Sequence, residues 1–466
     1  MRKVIYFILA VNLSGCSIFT PPAEIVANKI MTPAEWSTVH LSSGLKTTWQ
    51  GITAYPQLTG YIQEALAYNP QLISERYNID TAVALVKQTD AGQLPKIDSY
   101  LASGRQANSQ DTSSSNSINI DVGWELDYLG KLNDLAKAVT LDAKQAVLNY
   151  KQQQSNTIAL ISQQWFDLIF YQQQFALINK RQQNLQNNLD IIENGYDQGV
   201  KQSLDVYLAR ADLARAQASK QENLQTLKNT QRQLELSLGR YPAASIHADG
   251  DLTFAAMPVP SGLPSELIQR RFDIQQAMLA LTAENYRVAH AYKNRFPSLS
   301  LSLSGGTSSP ELSNLLQPDS LIWSFFANAS TSIFDAGTLT AKQAQQIAKT
   351  QQAAISVTKV TLQAFSEVET TLAAEVTLAN RELLQQNAEY YFSVAEQLAF
   401  EQYIAGLTDY ITVLESQRSA FDAQTSLLTI KNTRIQNRIK LLLALGGGMP
   451  TELTVITEKD LSRVNE

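Results

Sequence analysis

The chain has 466 residues, a formal net charge of −6, 17% charged residues and 44% hydrophobic residues. That length allows two or three ordinary domains, and the negative balance argues against a nucleic-acid partner. No uninterrupted apolar run reaches the roughly 18 residues of a spanning helix, and a single cysteine excludes an internal disulfide and a cysteine-based zinc site.

The N-terminus, MRKVIYFILAVNLSGCSIF, has the form of an export signal. Arg2 and Lys3 precede an apolar core from Val4 to Val11, and Ser14, Gly15 and Cys16 follow. "LSGC" resembles the bacterial lipobox, in which the cysteine is lipidated and becomes the first mature residue. Ser17, with no aspartate after the cysteine, fits the pattern sorted to the outer membrane. One acyl chain, at about 0.8 kcal/mol per buried methylene, holds only weakly, so stable attachment takes more than one. The expectation is a signal peptide over 1–15 and a lipidated segment over 16–58.

Beyond that segment the chain is one unit written twice. AYNPQLISERYNI (67–79) has a counterpart in QRRFDIQQAMLAL (269–281), and GQLPKIDSYLASG in NRFPSLSLSLSGG. ELDYLGKL matches SIFDAGTL, YDQGVKQSLDVYLARA matches YIAGLTDYITVLESQ, and LSLGR matches LALGG. The matched pairs Pro95/Pro297, Asp127/Asp335, Gly199/Gly406 and Gly239/Gly446 lie 202, 208, 207 and 207 residues apart. The one jump falls between two expected strands, where a surface loop tolerates an insertion. The repeats are expected over 59–250 and 265–448, with an equatorial linker at 251–264 and an equatorial tail at 449–466.

Each half reads as helix, two strands, a very long helix, a tight turn and a second long helix. The expected strands are 96–105, 117–126, 298–306 and 325–333. In the second, Ile118, Ile120, Val122 and Trp124 alternate with Asn119, Asp121, Gly123 and Glu125. That polar face is too charged for the inside of a sandwich and suits a water-filled lumen, with the apolar face in lipid. In PSLSLSLSGG the same logic turns Leu299, Leu301 and Leu303 to lipid and Ser298, Ser300, Ser302 and Ser304 to the lumen.

From Lys131 to Glu193 there is no proline, and no glycine occurs before Gly195, which allows a helix on the order of 90 Å. Ile158, Ile161, Trp165 and Leu168 follow coiled-coil spacing, continued by Gln172 and Phe175. Small residues from Ala209 to Ala218 permit close helix contact. Gly195, Gly199, Gly406 and Asp409 are expected at the hairpin tips. A soluble antiparallel coiled coil would account for the helices alone; the strands favour a membrane channel. Four strands cannot span a bilayer as an open sheet. Two chains would give eight strands with a filled interior, and three would give twelve with an aqueous bore.

The lipobox, the tandem halves, YDQGVKQSLDVYLARADLA, YIAGLTDYITVLESQRS and the endings SLGR and LALGGG resemble the outer-membrane efflux duct family typified by TolC. The resemblance is closer to its lipoprotein branch, which serves tripartite resistance-nodulation-division pumps. It implies an α+β membrane protein: a homotrimer with a twelve-stranded β-barrel, a long α-helical periplasmic tunnel and a small equatorial domain. It also implies the outer membrane of a Gram-negative bacterium, a periplasmic adaptor, an inner-membrane transporter and passive export of drugs or other small toxic compounds. A type I protein-secretion duct shares the architecture, and a lipid-anchored structural coiled-coil protein without a pore is the alternative from another class. The family opens its second half with RRPDI; here Phe272 replaces the proline, which is expected to alter a local helix start only. By similarity, Ile411 forms an apolar constriction and Glu415 an acidic ring near Arg418, in three copies. Apolar necks and carboxylate rings suit a cation-preferring gate.

No catalytic or metal-binding pattern accompanies this. His40, His247 and His290 are scattered, the five methionines are dispersed, and Gly446–Gly448 lacks the lysine of a phosphate cradle and is expected to end the last helix. The reading is a non-enzyme without a cofactor.

Overall fold

A computed structural model describes residues 22–27, 33, 36–37, 55–107, 112–253 and 264–447. Cys16, Gly448, the tail at 449–466 and most of the linker lie outside the described residues. The first half contains α1 (Pro56–Tyr68), α2 (Pro70–Ala91), β1 (Lys96–Ala107), β2 (Thr112–Leu126), α3 (Lys131–Asp197) and α4 (Ser203–Ser237). The second contains α5 (Pro264–Arg270), α6 (Phe272–Lys293), β3 (Ser298–Ser309), β4 (Leu321–Ser330), α7 (Thr338–Ile404) and α8 (Tyr410–Ala444). The duplication is visible in the lengths: α2 and α6 have 22 residues each, α3 and α7 67, and α4 and α8 35.

Two helices, rather than one, precede the strands of each half. In the first, Asn69 leaves helical geometry and its side chain accepts from the Leu72 N–H at 3.1 Å, so α2 starts with Pro70 at its first position. In the second half the break persists without proline. Arg271 holds it with ion pairs of 2.7 Å to Asp273 and Glu367 and a bond to the Ala444 carbonyl at 3.1 Å. The locus expected to matter only for a helix start thus ties α6 to α7 and to the end of α8.

The main core surrounds the middle of α3. Ile158, Ile161, Trp165 and Leu168 are fully buried against Leu58 and Ile62 of α1, Leu234 of α4, and Ile435 and Ile439 of α8. Each such side chain contributes about 1.5–3 kcal/mol on burial. The coiled-coil seam stops there. Gln172 and Phe175 are only half-buried, and the Gln172 amide contacts His247 in the segment after α4. That segment is pinned by Glu235, whose carboxylate accepts from the backbone N–H groups of Ala244, Ser245 and Ile246 at 2.7, 2.8 and 3.1 Å. Burial pushes the Glu235 pKa up, but these bonds outweigh it and hold the carboxyl below its usual range.

Both hairpin turns are built alike. Gly199 (φ +74°) and Gly406 (φ +75°) take the left-handed conformation that closes α3 and α7, as Gly446 (φ +68°) does for α8. Gly195, expected in the turn, instead lies inside α3. A Cβ there would come within 2.6 Å of the Lys201 side chain, so its role is close packing.

The four strands form one antiparallel sheet in the order β1-β2-β3-β4, with β2 and β3 joining the two halves. All four strands differ in extent from the sequence reading: β1 runs on to Ala107 and β3 to Ser309, and the limits of β2 and β4 shift further. Thr112–Ser115, read as loop, pairs with residues 104–107, because polar residues complete a ladder wherever their backbone finds a partner. The fourth strand spans Leu321–Ser330 rather than 325–333. The chain leaves it to reach the Asp335 turn, where the carboxylate accepts from Gly337 and Leu339 at the start of α7.

Candidate functional site: the channel wall and the helical tips

The register sorts the sheet into two faces. Leu301 lies between Trp124 and Ala327, and Leu303 between Val122 and Phe325. Ile97, Leu101, Ile120 and Trp323 share this face and are exposed, an apolar patch that asks for lipid or protein. Ser300 lies between Glu125 and Asn328, Ser304 between Asp121 and Ser324, and Ser298 opposite Ser330. Asp98 faces Asp121 directly and takes an ion pair from Lys96 at 3.0 Å. The four serines are thus brought onto one polar face. Phe326 breaks its pattern: it stands beside Ser302 on the polar side, a feature no alternation in β4 revealed. Trp124 donates its ring N–H to the Gln93 carbonyl at 2.9 Å, tying the end of β2 to the turn after α2.

β1 and β4 are edge strands, each paired on one side only among the described residues. Their free backbone groups call for further strands. No helix among the described residues is long and apolar enough to cross a membrane.

At the other end, the tips of the two hairpins pack together. Leu185, Leu189, Ile192, Val206, Ala209 and Leu213 of the first enclose Tyr403, Tyr410 and Val413 of the second. Small Ala209 allows the approach that the sequence suggested. Polar links run across the same joint. Tyr403 donates its hydroxyl to Asp205 at 2.9 Å, and Lys201 donates to the Tyr403 carbonyl at 3.0 Å while its ammonium sits 3.6 Å from the Tyr403 ring centre. Burial, then the Asp205 carboxylate, raises the Tyr403 pKa above the ordinary tyrosine value. Asp409 caps α8, accepting from the Thr412 N–H at 2.9 Å and hydroxyl at 2.7 Å, and the hydroxyl bond leads in holding its pKa down.

Ile411, Glu415 and Arg418 lie on the opposite face of α8 from buried Val413 and Gln417. All three are exposed, and no ion pair joins Glu415 to Arg418 among the described residues. Sequence reading located Tyr403 and Asp409 in a motif but missed Lys201 and Asp205 as their counterparts. Only the contact between the two repeats selects them, although both follow Gly199 in the quoted motif.

A sheet with one apolar and one polar face, set on helical hairpins whose longer arms run about 100 Å, defines a β-barrel channel extended by a helical tunnel. The sequence matches the outer membrane efflux protein family over residues 61–240 and 263–447, and the chain belongs to that family. It is 27% identical to the toluene efflux pump outer membrane protein TtgF of Pseudomonas putida, over 94% of this chain and 95% of that one. It is 26% identical to the cation efflux system protein CusC of Escherichia coli, over 96% and 98%. The crystal structure of the Campylobacter jejuni CmeC outer membrane channel superposes with a TM-score of 0.85 over 96% of this chain and 98% of that one, at 19% identity. The protein is an outer-membrane efflux channel, α+β in class: a tandem-repeat protomer whose trimer closes a twelve-stranded barrel that continues as a periplasmic helical tunnel.

Proposed function

We propose that this chain forms the passive exit duct of a tripartite pump, gated at the tips of α7 and α8 and anchored to lipid through Cys16. The observation that carries it is the two-faced sheet with both edges unpaired among the described residues, which becomes stable in a membrane when copies close it into a barrel. The partners are a periplasmic adaptor at the helical end and an inner-membrane resistance-nodulation-division transporter that supplies the energy. Relatives named for toluene and for cations match 94% and 96% of this chain, which supports a conduit that leaves cargo choice to the transporter. Its own cargo is drugs or other small toxic compounds.

At the gate, three copies of exposed Ile411 form an apolar neck and three of Glu415 a carboxylate ring, with Arg418 at its upper edge. Carboxylates held close repel one another and attract cations, so the resting pore conducts weakly and favours cations. Conductance in planar bilayers tests this: Glu415→Ala lowers cation preference and Ile411→Ala raises conductance. If neither variant differs from the parent, the constriction lies elsewhere. The wall is tested separately. Leu301→Arg, in mid-membrane, costs about 2–4 kcal/mol and depletes assembled trimer, whereas Ser302→Arg chiefly changes conductance. Greater assembly loss from Ser302→Arg reverses the faces.

A further inference from the structure

A cavity of about 110 Å³ lies among α3, α7 and α8, on the side of the tip cluster away from the turns. Lys180 and Asn184 of α3, one helical turn apart and both exposed, mark its open side. At its inner end Gln417 of α8 is only 9% exposed, and its Oε1 finds no hydrogen-bond partner among the described residues. Arg181 of α3 lays its guanidinium over the Phe421 ring, 4.1 Å from the centre, and its buried Nε is likewise unpartnered. Glu396 of α7 joins neither Arg181 nor Lys180 in an ion pair among the described residues. Buried polar groups are ordinarily paired, since each gives up water on burial. The charged groups here are not. Burial leads in lowering the Arg181 pKa, against the pull of Asp212, Asp422 and Glu396. Burial also leads in raising the Glu396 pKa, against Arg181 and Lys180. Each charge has lost more hydration than its protein neighbours replace.

The chemistry around the cavity is directional. On the α3 side Lys180 and the Arg181 Nε can only donate; on the other side the Gln417 Oε1 and an ionised Glu396 can only accept. A simple anion would answer Arg181 and leave Gln417 and Glu396 unpaired. A simple amine would do the reverse. A molecule that answers both must turn an anionic end to α3 and a donor-bearing cationic end to α7 and α8. At about 30 Å³ per water in the liquid, the cavity has the volume of about four waters, which admits a molecule of glycine's size.

We propose that this cavity binds a small zwitterion of the amino-acid class, its carboxylate on Arg181 and Lys180 and its ammonium on Glu396 and Gln417, and that the bound molecule fastens the first hairpin to the second. Its effect on conductance rests on the placing of the gate at the tips. Leu185, one turn beyond Arg181, Tyr403, two turns beyond Glu396, and Val413, one turn before Gln417, all belong to the tip cluster. The clamp therefore sits directly behind the joint that packs the two tips. A ligand taken up only by the packed arrangement shifts the population toward it. At ten times its Kd it slows exchange through the opened form about elevenfold.

The test titrates glycine through the millimolar range into the full-length trimer in lipid nanodiscs and follows amide hydrogen exchange at 185–192 and 403–413. Exchange there should slow about elevenfold at ten times the midpoint concentration. Acetate and methylammonium each carry one end of the zwitterion, and neither alone should slow it. Gln417→Leu stays close to the side-chain volume but removes the acceptor, and should abolish the glycine effect. Lys180→Gln, at an exposed position, should raise the midpoint several-fold and serves if Gln417→Leu misfolds. No response of the parent to glycine overturns the site, because the cavity then holds water only. An equal response to acetate overturns the zwitterion, and a glycine effect that survives both substitutions places the binding elsewhere. In planar bilayers the same glycine should lower resting conductance several-fold. Slowed exchange with unchanged conductance upholds the site and overturns the gate at the tips, which Glu415→Ala and Ile411→Ala test without glycine.

Discussion

Tyr196 and Tyr403 stand 207 residues apart at the same place in the two repeats, seven residues before the start of α4 and of α8. Tyr196 is 48% exposed and Tyr403 is 3% exposed. The backbones do not explain this, since both turns close on a left-handed glycine. The difference lies in where the neighbouring polar groups go. In the second turn Asp409 spends its carboxylate on its own helix start, through Thr412. In the first, Gln202 provides no side-chain cap, and Lys201 and Asp205 reach across to Tyr403 instead. A duplicated unit thus acquires two roles without a change of fold: one tip holds and the other is held.

Truncation of the two tyrosines gives the largest contrast. Tyr403→Ala removes a buried ring and should destabilise the tip by about 3–5 kcal/mol, while Tyr196→Ala should stay within about 0.5 kcal/mol. Hydrogen exchange at the ends of α7 and α8 measures both; equal exchange rates in the two variants would erase the distinction drawn here. Removing only the hydroxyl is gentler. Tyr403→Phe loses a bond to a carboxylate, about 1.5–3 kcal/mol, and should raise resting conductance in bilayers, with Tyr196→Phe silent.

The turns themselves should respond alike. Gly199→Ala and Gly406→Ala each force a Cβ into left-handed geometry at about 1–2 kcal/mol, with no atom within 4 Å to add a clash. Unequal costs in thermal unfolding would mean that the two turns are not equivalent. Asp409→Ala should speed amide exchange at Ile411–Val413, and Gln202→Ala should leave the start of α4 unchanged. The smallest effect concerns pH. Because the Tyr403 pKa is raised in the folded protein, its hydroxyl contributes fully below the ordinary tyrosine range. That contribution is lost only as pH rises through the higher folded value. The stability difference between parent and Tyr403→Phe should therefore stay constant from neutral pH to about 10, as followed by exchange or denaturant titration; a fall within that interval would place the hydroxyl in water.

Much of this was legible in the chain itself. Period two in 298–304 and 118–125 set the two faces of the sheet, because alternate side chains on a strand must point opposite ways. The repeat offsets gave the paired architecture, and the absence of proline allowed helices that reach 67 residues. Local rules failed where a partner decides. Thr112–Ser115 became strand because residues 104–107 were there to pair with, and Phe326 took the polar face because register with Ser302 fixed it. Gly195 looked like a turn until Lys201 was placed against it. Lys201 and Asp205 carry no periodic signal at all. Periodicity encodes which side of an element is buried, whereas a single polar contact between distant segments depends on three-dimensional proximity, and that was fixed only when the two repeats packed.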